Sequence, residues 1–328
     1  MEKALIIGAA GFVGPYLAAH LTDVCGMEVH ATKLSHDKIS GIHAELHELN
    51  ILNKEDIVDL LYKVRPDYIF HLAAQSSVAL SWKNPGLTID VNIKGSVNVM
   101  DAIRELYYKP RVLLIGSGEE YGHIQPEEVP IVERNYLRPG NIYAATKVCQ
   151  NMIAQIYTVA YDMELVMVRA FNHIGPGQTD TFVVSDFCKQ VVEIEKGLRE
   201  PVMRVGNLQA RRDFTDVRDV VRAYALLVKQ GKAGETYNVG SGHAMQISEI
   251  LNMIIGLIVA VYVLVSKERF GAQSKKLLYS IFSIKTVNRI LQDLRDANGI
   301  FSRYISGVLL DSAMVGVICF ISLTILGM

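Results

Sequence analysis

Apolar positions in the first 120 residues fall into short continuous runs separated by amphipathic stretches, as when strands buried on both faces alternate with helices. Lys3-Ala-Leu-Ile-Ile-Gly8 predicts a first strand and Met27-Glu-Val-His-Ala-Thr32 a second. Asp67-Tyr-Ile-Phe-His-Leu-Ala-Ala74 predicts a third that enters a loop, and Arg111-Val-Leu-Leu-Ile-Gly116 another. Between them Tyr16–Leu21, Glu55–Val64 and Asn92–Leu106 read as helices, the second closed by Arg65-Pro66. The alternation predicts an α/β chain with a doubly wound parallel sheet. The pattern changes near residue 250. Ile250–Val265 is almost wholly apolar, Lys267–Arg303 is basic, and Ile305–Met328 is uncharged except for Asp311. The expected division is an α/β portion over 1–255, with part of a second lobe, and an atypical helical, hydrophobic tail over 256–328.

Composition sharpens this only in places. A chain of 328 residues can hold a nucleotide-binding domain and a smaller lobe. A net charge of −1 argues against nucleic-acid binding, which needs a basic surface. Half the residues are hydrophobic and the mean hydropathy is +0.22, an excess that lies at the C-terminus. Cys25, Cys149, Cys188 and Cys319 are scattered without paired spacing, so they read as reduced cysteines of a cytoplasmic protein. No metal is expected, because neither His71 nor His173 has a second ligand three or four residues away.

The candidate chemistry lies at the predicted strand ends. Gly8-Ala-Ala-Gly11-Phe-Val-Gly14 follows the first strand and precedes a helix, the order that lets backbone N–H groups meet a pyrophosphate in a Rossmann-like fold. Gly8, Ala73 and Ser117 would line one crevice beyond the carboxyl ends of the strands. The second strand ends in Thr32-Lys33 with no acid for a ribose hydroxyl, and a cation there favours NADP over NAD. Tyr143 and Lys147 are four apart and share one helix face. The ammonium is expected to lower the phenol pKa, making Tyr143 a proton donor or acceptor during hydride transfer.

Residues 1 to about 255 resemble the extended short-chain dehydrogenase/reductase family, in its GDP-mannose branch. The likeness rests on the glycine motif at 8–14, His71-Leu-Ala-Ala-Gln-Ser-Ser77, Gly116-Ser-Gly-Glu-Glu-Tyr-Gly122 and Tyr143-Ala-Ala-Thr-Lys147. Arg169-Ala-Phe-Asn-His-Ile-Gly-Pro-Gly-Gln178, Val205-Gly-Asn-Leu208 and Arg212-Asp-Phe-Thr-Asp-Val-Arg-Asp219 complete it. The run ending at Gln178 is nearer the reductases that make GDP-D-rhamnose from GDP-4-dehydro-6-deoxy-D-mannose than the GDP-mannose 4,6-dehydratases. The resemblance implies that Ser117 binds the sugar C4 oxygen, Tyr143 is the acid/base, and Lys147 holds the nicotinamide ribose. Glu119 matches the carboxylate that dehydratases use for elimination. Gly8, Gly11, Phe12, Val13, Gly14, Lys33, Asn50, Ile51, Leu72, Ala73 and Ala74 would surround NADP, with NAD possible. Ser77, Asn172, Val205, Asn207 and Arg212 would meet the GDP-sugar. A homodimer through the dehydrogenase domain is also implied. One departure is Gly118, where the family usually has a second serine.

The tail is similar instead to a fragment of the autoinducer-2 exporter-like transporter family, in Ser266-Lys-Glu-Arg-Phe270, Ala297-Asn-Gly-Ile-Phe-Ser302 and Ile305–Gly316. Lys267–Arg303 holds eight Lys/Arg against three Asp/Glu. The positive-inside rule would keep that loop in the cytoplasm, so a membrane hairpin would place the enzyme outside, away from its substrates. The expectation is a cytoplasmic enzyme whose tail, over 250–328, offers a route to membrane association.

Overall fold

The computed structural model describes residues 1–39 and 41–326, and side-chain surroundings for all of these except residue 305 and residues 309–326. Asp311 and Cys319 therefore lie outside the described side chains. The chain divides into two compact units, Met1–Ile254 and Ile255–Met328.

The first unit is built on β1 (Lys3–Ile7), α1 (Val13–Ala19), β2 (Glu28–Lys33), β3 (Glu45–Glu48), α2 (Lys54–Val64) and β4 (Tyr68–His71). It continues through α3 (Val78–Lys83), α4 (Pro85–Ile89), α5 (Gly95–Arg104), β5 (Arg111–Ile115), α6 (Ile142–Tyr161) and β6 (Leu165–Ala170). Beyond these come β7 (Asn172–Ile174), α7 (Val183–Glu195), β8 (Arg211–Asp216), α8 (Val217–Gln230), β9 (Thr236–Val239) and β10 (Ala244–Gln246). Seven strands form one parallel sheet in the order β3-β2-β1-β4-β5-β6-β9. The order reverses between β1 and β4, which opens a crevice at their carboxyl ends. The predicted doubly wound sheet is thus the sheet observed.

Burial on both faces explains the unbroken apolar strands. Ala4 and Ile6 face one core with Leu17, Leu21 and Tyr224, while Leu5 and Ile7 face another with Ile57, Leu61 and Val99. The α2 helix starts on Asn53, whose side chain accepts from the Glu55 N–H, and stops at Arg65 in the left-handed region (φ 51°) before Pro66. The predicted helix from Asn92 begins earlier, as α4 and a π-turn over Asp90–Lys94 that runs into α5. A second π-turn over His20–Val24 extends α1. Short strands such as β3 and β7, and the polar β8, carry too little apolar periodicity to be seen in sequence.

A small mixed sheet, β10-β8-β7, stands apart from the large one. It has its own core of Phe187, Ile247 and Ile250, with Met203, Leu208 and Phe214 packed against it. Its outer turn is pinned by Asp213, whose carboxylate accepts from the N–H groups of Ser241 (2.9 Å) and Gly242 (2.7 Å) and from the Ser241 hydroxyl (2.7 Å).

The helix α9 (Ile247–Val265) starts in the first unit, where Ile247 and Ile250 are buried, and its last eleven residues belong to the second. It is long and apolar enough to cross a membrane, with a mean hydropathy of 2.3 and only 6% of its most apolar window buried. In the second unit, α10 (Lys267–Ile281) and α11 (Ile284–Leu326) carry the basic stretch, so the predicted tail is helical. Val287 is buried there, and the Tyr279 hydroxyl donates to Asn288 Oδ1 at 2.8 Å.

Candidate active site

The catalytic-looking groups meet where β5 ends. Ser117 follows the strand and caps a short 3-10 turn over Gly118–Tyr121. Its hydroxyl accepts from the Glu119 N–H at 3.2 Å, and its own N–H donates to Glu120 Oε1 at 2.9 Å. This is a capping box, and the Ser-x-x-Glu spacing signals it in the sequence. Asn141 caps α6 by accepting from the Ala144 N–H at 2.8 Å, which sets Tyr143 and Lys147 in the helix's first two turns. The Ser117 hydroxyl lies beside the half-buried Tyr143 phenol.

The expected effect of Lys147 on Tyr143 is not what the structure shows. Burial pushes the Tyr143 phenol up to about 12, and the Glu120 and Glu119 carboxylates push the same way, while the Ser117 hydroxyl opposes them. The Lys147 ammonium is buried. It donates to the Ile115 carbonyl at 2.7 Å and to Gln150 Oε1 at 3.1 Å. Burial brings its pKa down to about 8, with Glu120 pulling it back up. Burial, Ser117, Glu120 and Glu119 set the Tyr143 pKa, and Lys147 is not among the groups that move it. Tyr143 is therefore neutral near pH 7 and able to donate a proton.

Behind these groups lies a buried polar network that sequence reasoning missed. Glu120 is fully buried, and its Oε2 accepts from Arg169 Nε at 2.8 Å and Asn151 Nδ2 at 2.7 Å. Arg169 also donates to the Tyr121 hydroxyl and the Glu133 carbonyl, both at 3.0 Å, so β6, α6 and the turn after β5 are tied together. Asn92, fully buried in its π-turn, donates to Thr146 Oγ1 at 3.0 Å and exchanges bonds with the Gln75 backbone. It fixes α6 against the loop after β4. Glu119 accepts from Asn141 Nδ2 at 3.3 Å and stays half-buried beside the site.

The glycine turn is shaped for close approach. Gly8 has φ 88°, and a Cβ there would come within 2.5 Å of Ala73 Cα. A Cβ on Gly14 would come within 2.0 Å of the Ala9 carbonyl oxygen, whereas the Cβ direction of Gly11 is open. The Gly8 N–H donates to Thr32 Oγ1 at 2.9 Å, and the N–H groups of Leu72 and Ala73 donate to the Ile7 carbonyl. Gly8, Thr32, Leu72 and Ala73 thus converge, with Ala74 next along the loop. Phe12 and Val13 open α1, and the Phe12 ring stacks on His173. Lys33 is not a free cation, because its ammonium lies 3.4 Å from Glu48 Oε1. Asn50 accepts the Leu52 N–H at 3.0 Å, and Ile51 is buried against Gly95.

The residues expected to meet a sugar nucleotide are more scattered. Ser77 caps α3, accepting from the Leu80 N–H at 3.2 Å. Asn172 is exposed at the start of β7, one residue after Phe171, whose ring packs against Gly118. Arg212 is exposed on β8, donating to the Arg211 carbonyl at 2.9 Å. Val205 and Asn207 are exposed between α7 and β8. Fold and site together define an α/β enzyme of the short-chain dehydrogenase/reductase class.

Comparison with known proteins narrows the class. The family described as GDP-mannose 4,6 dehydratase matches residues 5–288, and the chain belongs to it. That match runs past Gly256, where the sequence likeness was expected to stop. The GDP-6-deoxy-D-mannose reductase of Pseudomonas aeruginosa is 30% identical over 253 residues, covering 77% of this chain and 79% of that protein. A GDP-mannose 4,6-dehydratase of Yersinia enterocolitica is 30% identical over 269 residues, covering 77% and 71%. Among solved structures, RMD from Pseudomonas aeruginosa complexed with NADPH superposes with a TM-score of 0.68 at 30% identity, covering 77% of this chain and 82% of that one. The UDP-glucose 4-epimerase of Thermus thermophilus in complex with NAD has a TM-score of 0.68 at 28% identity, covering 76% and 81%.

Proposed function

We propose that the chain is an NADPH-dependent reductase acting on the C4 ketone of GDP-4-dehydro-6-deoxy-D-mannose to give GDP-D-rhamnose. The observation that carries this is the Tyr143 phenol beside the Ser117 hydroxyl at the end of β5, a pair that can hold and protonate one ketone oxygen. The likeness to a GDP-6-deoxy-D-mannose reductase and to a structure holding NADPH supports the same direction. When bound, NADPH supplies the hydride that reaches C4. Gly8, Gly11 and Gly14 admit its pyrophosphate, and Ala73 and Ala74 flank it from the β4 loop. Ser117 holds the C4 oxygen, and Tyr143 gives it a proton. Lys147, released from the Ile115 carbonyl, holds the ribose. Asn172 and Arg212 face the GDP-sugar across the small sheet, with Ser77, Val205 and Asn207 at its margins. A guanidinium suits the diphosphate through paired charge-assisted bonds.

A second reading, a GDP-mannose 4,6-dehydratase, is favoured by Glu119, a half-buried carboxylate beside Tyr143 that could take a proton in an elimination. The two reactions separate in one assay. A reductase consumes one NADPH per GDP-4-dehydro-6-deoxy-D-mannose and leaves GDP-mannose untouched. Conversion of GDP-mannose with no net NADPH use would overturn the reductase in favour of the dehydratase. Glu119→Gln should spare most reductase activity and abolish most dehydratase activity.

A further inference from the structure

Away from the crevice, two histidines and a glutamate converge on the outer edge of the large sheet. His30 is buried on β2, and its Cα partner on β3 is Glu45; His47 lies two residues further along β3, on the same face. His30 Nδ1 and His47 Nε2 are 3.0 Å apart. Glu45 reaches both, with Oε2 3.6 Å from His30 Nδ1 and Oε1 3.6 Å from His47 Nε2. One ligand atom from each of the three residues lies within 4.8 Å of the others.

We propose that His30, Glu45 and His47 form a binding site for a divalent cation of the zinc type, with one coordination position left to solvent. Imidazole nitrogen and carboxylate oxygen are the donors zinc takes, at about 2.0–2.2 Å, which separates ligand atoms by roughly 3.3 Å in a tetrahedron. The observed 3.0 and 3.6 Å bracket that value, so small rotations of the side chains bring all three onto one ion.

The group behind His30 points the same way. Glu28 Oε1 lies 3.0 Å from His30 Nε2, an arrangement in which the ring donates that N–H to the carboxylate. This tautomer leaves the Nδ1 lone pair aimed at His47 and Glu45, and a carboxylate behind a ligating imidazole both orients it and raises its basicity. Without an ion, His47 must use its Nε2 proton to bond His30 Nδ1. With one, both lone pairs face the same positive charge. The charges around the cluster are mixed. Lys3 on β1 pairs with Glu28 at 3.2 Å, and Lys63 on α2 stands 4.0 Å from Glu45 Oε1, where it competes weakly for the carboxylate. The cluster sits in the body of strands β2 and β3 and owes nothing to the proposed reaction at their carboxyl ends.

Tag-free, full-length protein stripped with a chelator should bind one equivalent of Zn2+ by calorimetry at pH 7.5, and its Tm should rise on addition. Co2+ in its place should give the intense visible bands of a four-coordinate site. His47→Gln and Glu45→Gln should each weaken Zn2+ at least tenfold and abolish the Tm rise; Glu45 is exposed, so that variant keeps the fold. Absence of saturable binding, unchanged affinity in both variants, or loss of binding only on replacing Cys25, Cys149 and Cys188 by Ser would overturn the site.

Discussion

Burial beside carboxylates raises the Tyr143 pKa further above neutrality, and its proposed role as proton donor follows from its place beside the Ser117 hydroxyl. Tyr143→Phe should lower turnover by ~10²–10⁴-fold while leaving NADPH affinity nearly unchanged, since only the proton donor is removed; steady-state kinetics beside a fluorescence titration would check both, and substantial residual turnover would remove Tyr143 from the mechanism. Lys147 makes a separate, pH-dependent contribution. Its folded pKa of about 8 lies below the ordinary lysine value of 10.5, so the unfolded chain binds more protons between those limits and stability rises with pH across that window. Compared with Lys147→Met, the unmodified chain should gain on the order of 2 kcal/mol between pH 8 and pH 10, read from urea melts. An equal pH dependence in the variant would show that Lys147 is solvated. Gly118 has a local explanation: a Cβ there would lie 3.0 Å from the Phe171 ring, which is stacked on the buried Tyr121 and has Gly240 on its other side. Gly118→Ser should therefore cost about 1–3 kcal/mol by overpacking, visible as a lower Tm.

At the scale of elements, the turn after β5 is held by a buried charge pair as well as by the stacking of Tyr121 on Phe171. Glu120 and Arg169 are 2.8 Å apart, both buried, and the remaining carboxylate oxygen is satisfied by the Ser117 N–H. Removing one partner leaves the other charged, buried and unpaired. Arg169→Met should destabilise by ~3–5 kcal/mol, and by displacing Ser117 it should also lower turnover in whatever fraction remains folded. Denaturant melts would test the first part, and a loss under 1 kcal/mol would mean that the network is hydrated. The glycine turn was legible at this scale because strand, glycines and helix are contiguous in the chain. The Glu120–Arg169 pair was not, since its members are 49 residues apart and meet only when β5 and β6 pair.

At the scale of the whole molecule, α9 is the unusual element. Beyond Ile254 it exposes Leu257, Val259, Val261, Leu264 and Val265, a surface that water does not favour. The full-length chain should float with lipid vesicles or self-associate, and Leu257→Glu with Val261→Glu should release it without loss of the α/β unit, as judged by its circular dichroism. A monodisperse, vesicle-free unmodified chain would show that these side chains are covered. The small sheet presents Asn172 and Arg212, both exposed, and packs on a small core of Phe187, Ile247 and Ile250 with partly buried neighbours such as Met203, Leu208 and Phe214. Calorimetry is accordingly expected to give tighter binding of NADPH than of GDP, and the reverse order would overturn the expectation of a weak sugar-nucleotide site.

The local order of residues determined the strands β1, β2, β4 and β5, the nucleotide turn and the helical spacing of Tyr143 and Lys147, because each depends on neighbours within a few positions. The long apolar tail was equally plain. Tertiary structure alone decided that Lys147 bonds the Ile115 carbonyl instead of favouring a phenolate, that Lys33 is paired with Glu48, and that His30, Glu45 and His47 meet on one edge. Each of these is set by which strands lie side by side and how deeply a charge is buried, and neither quantity is written in the spacing along a single strand or helix.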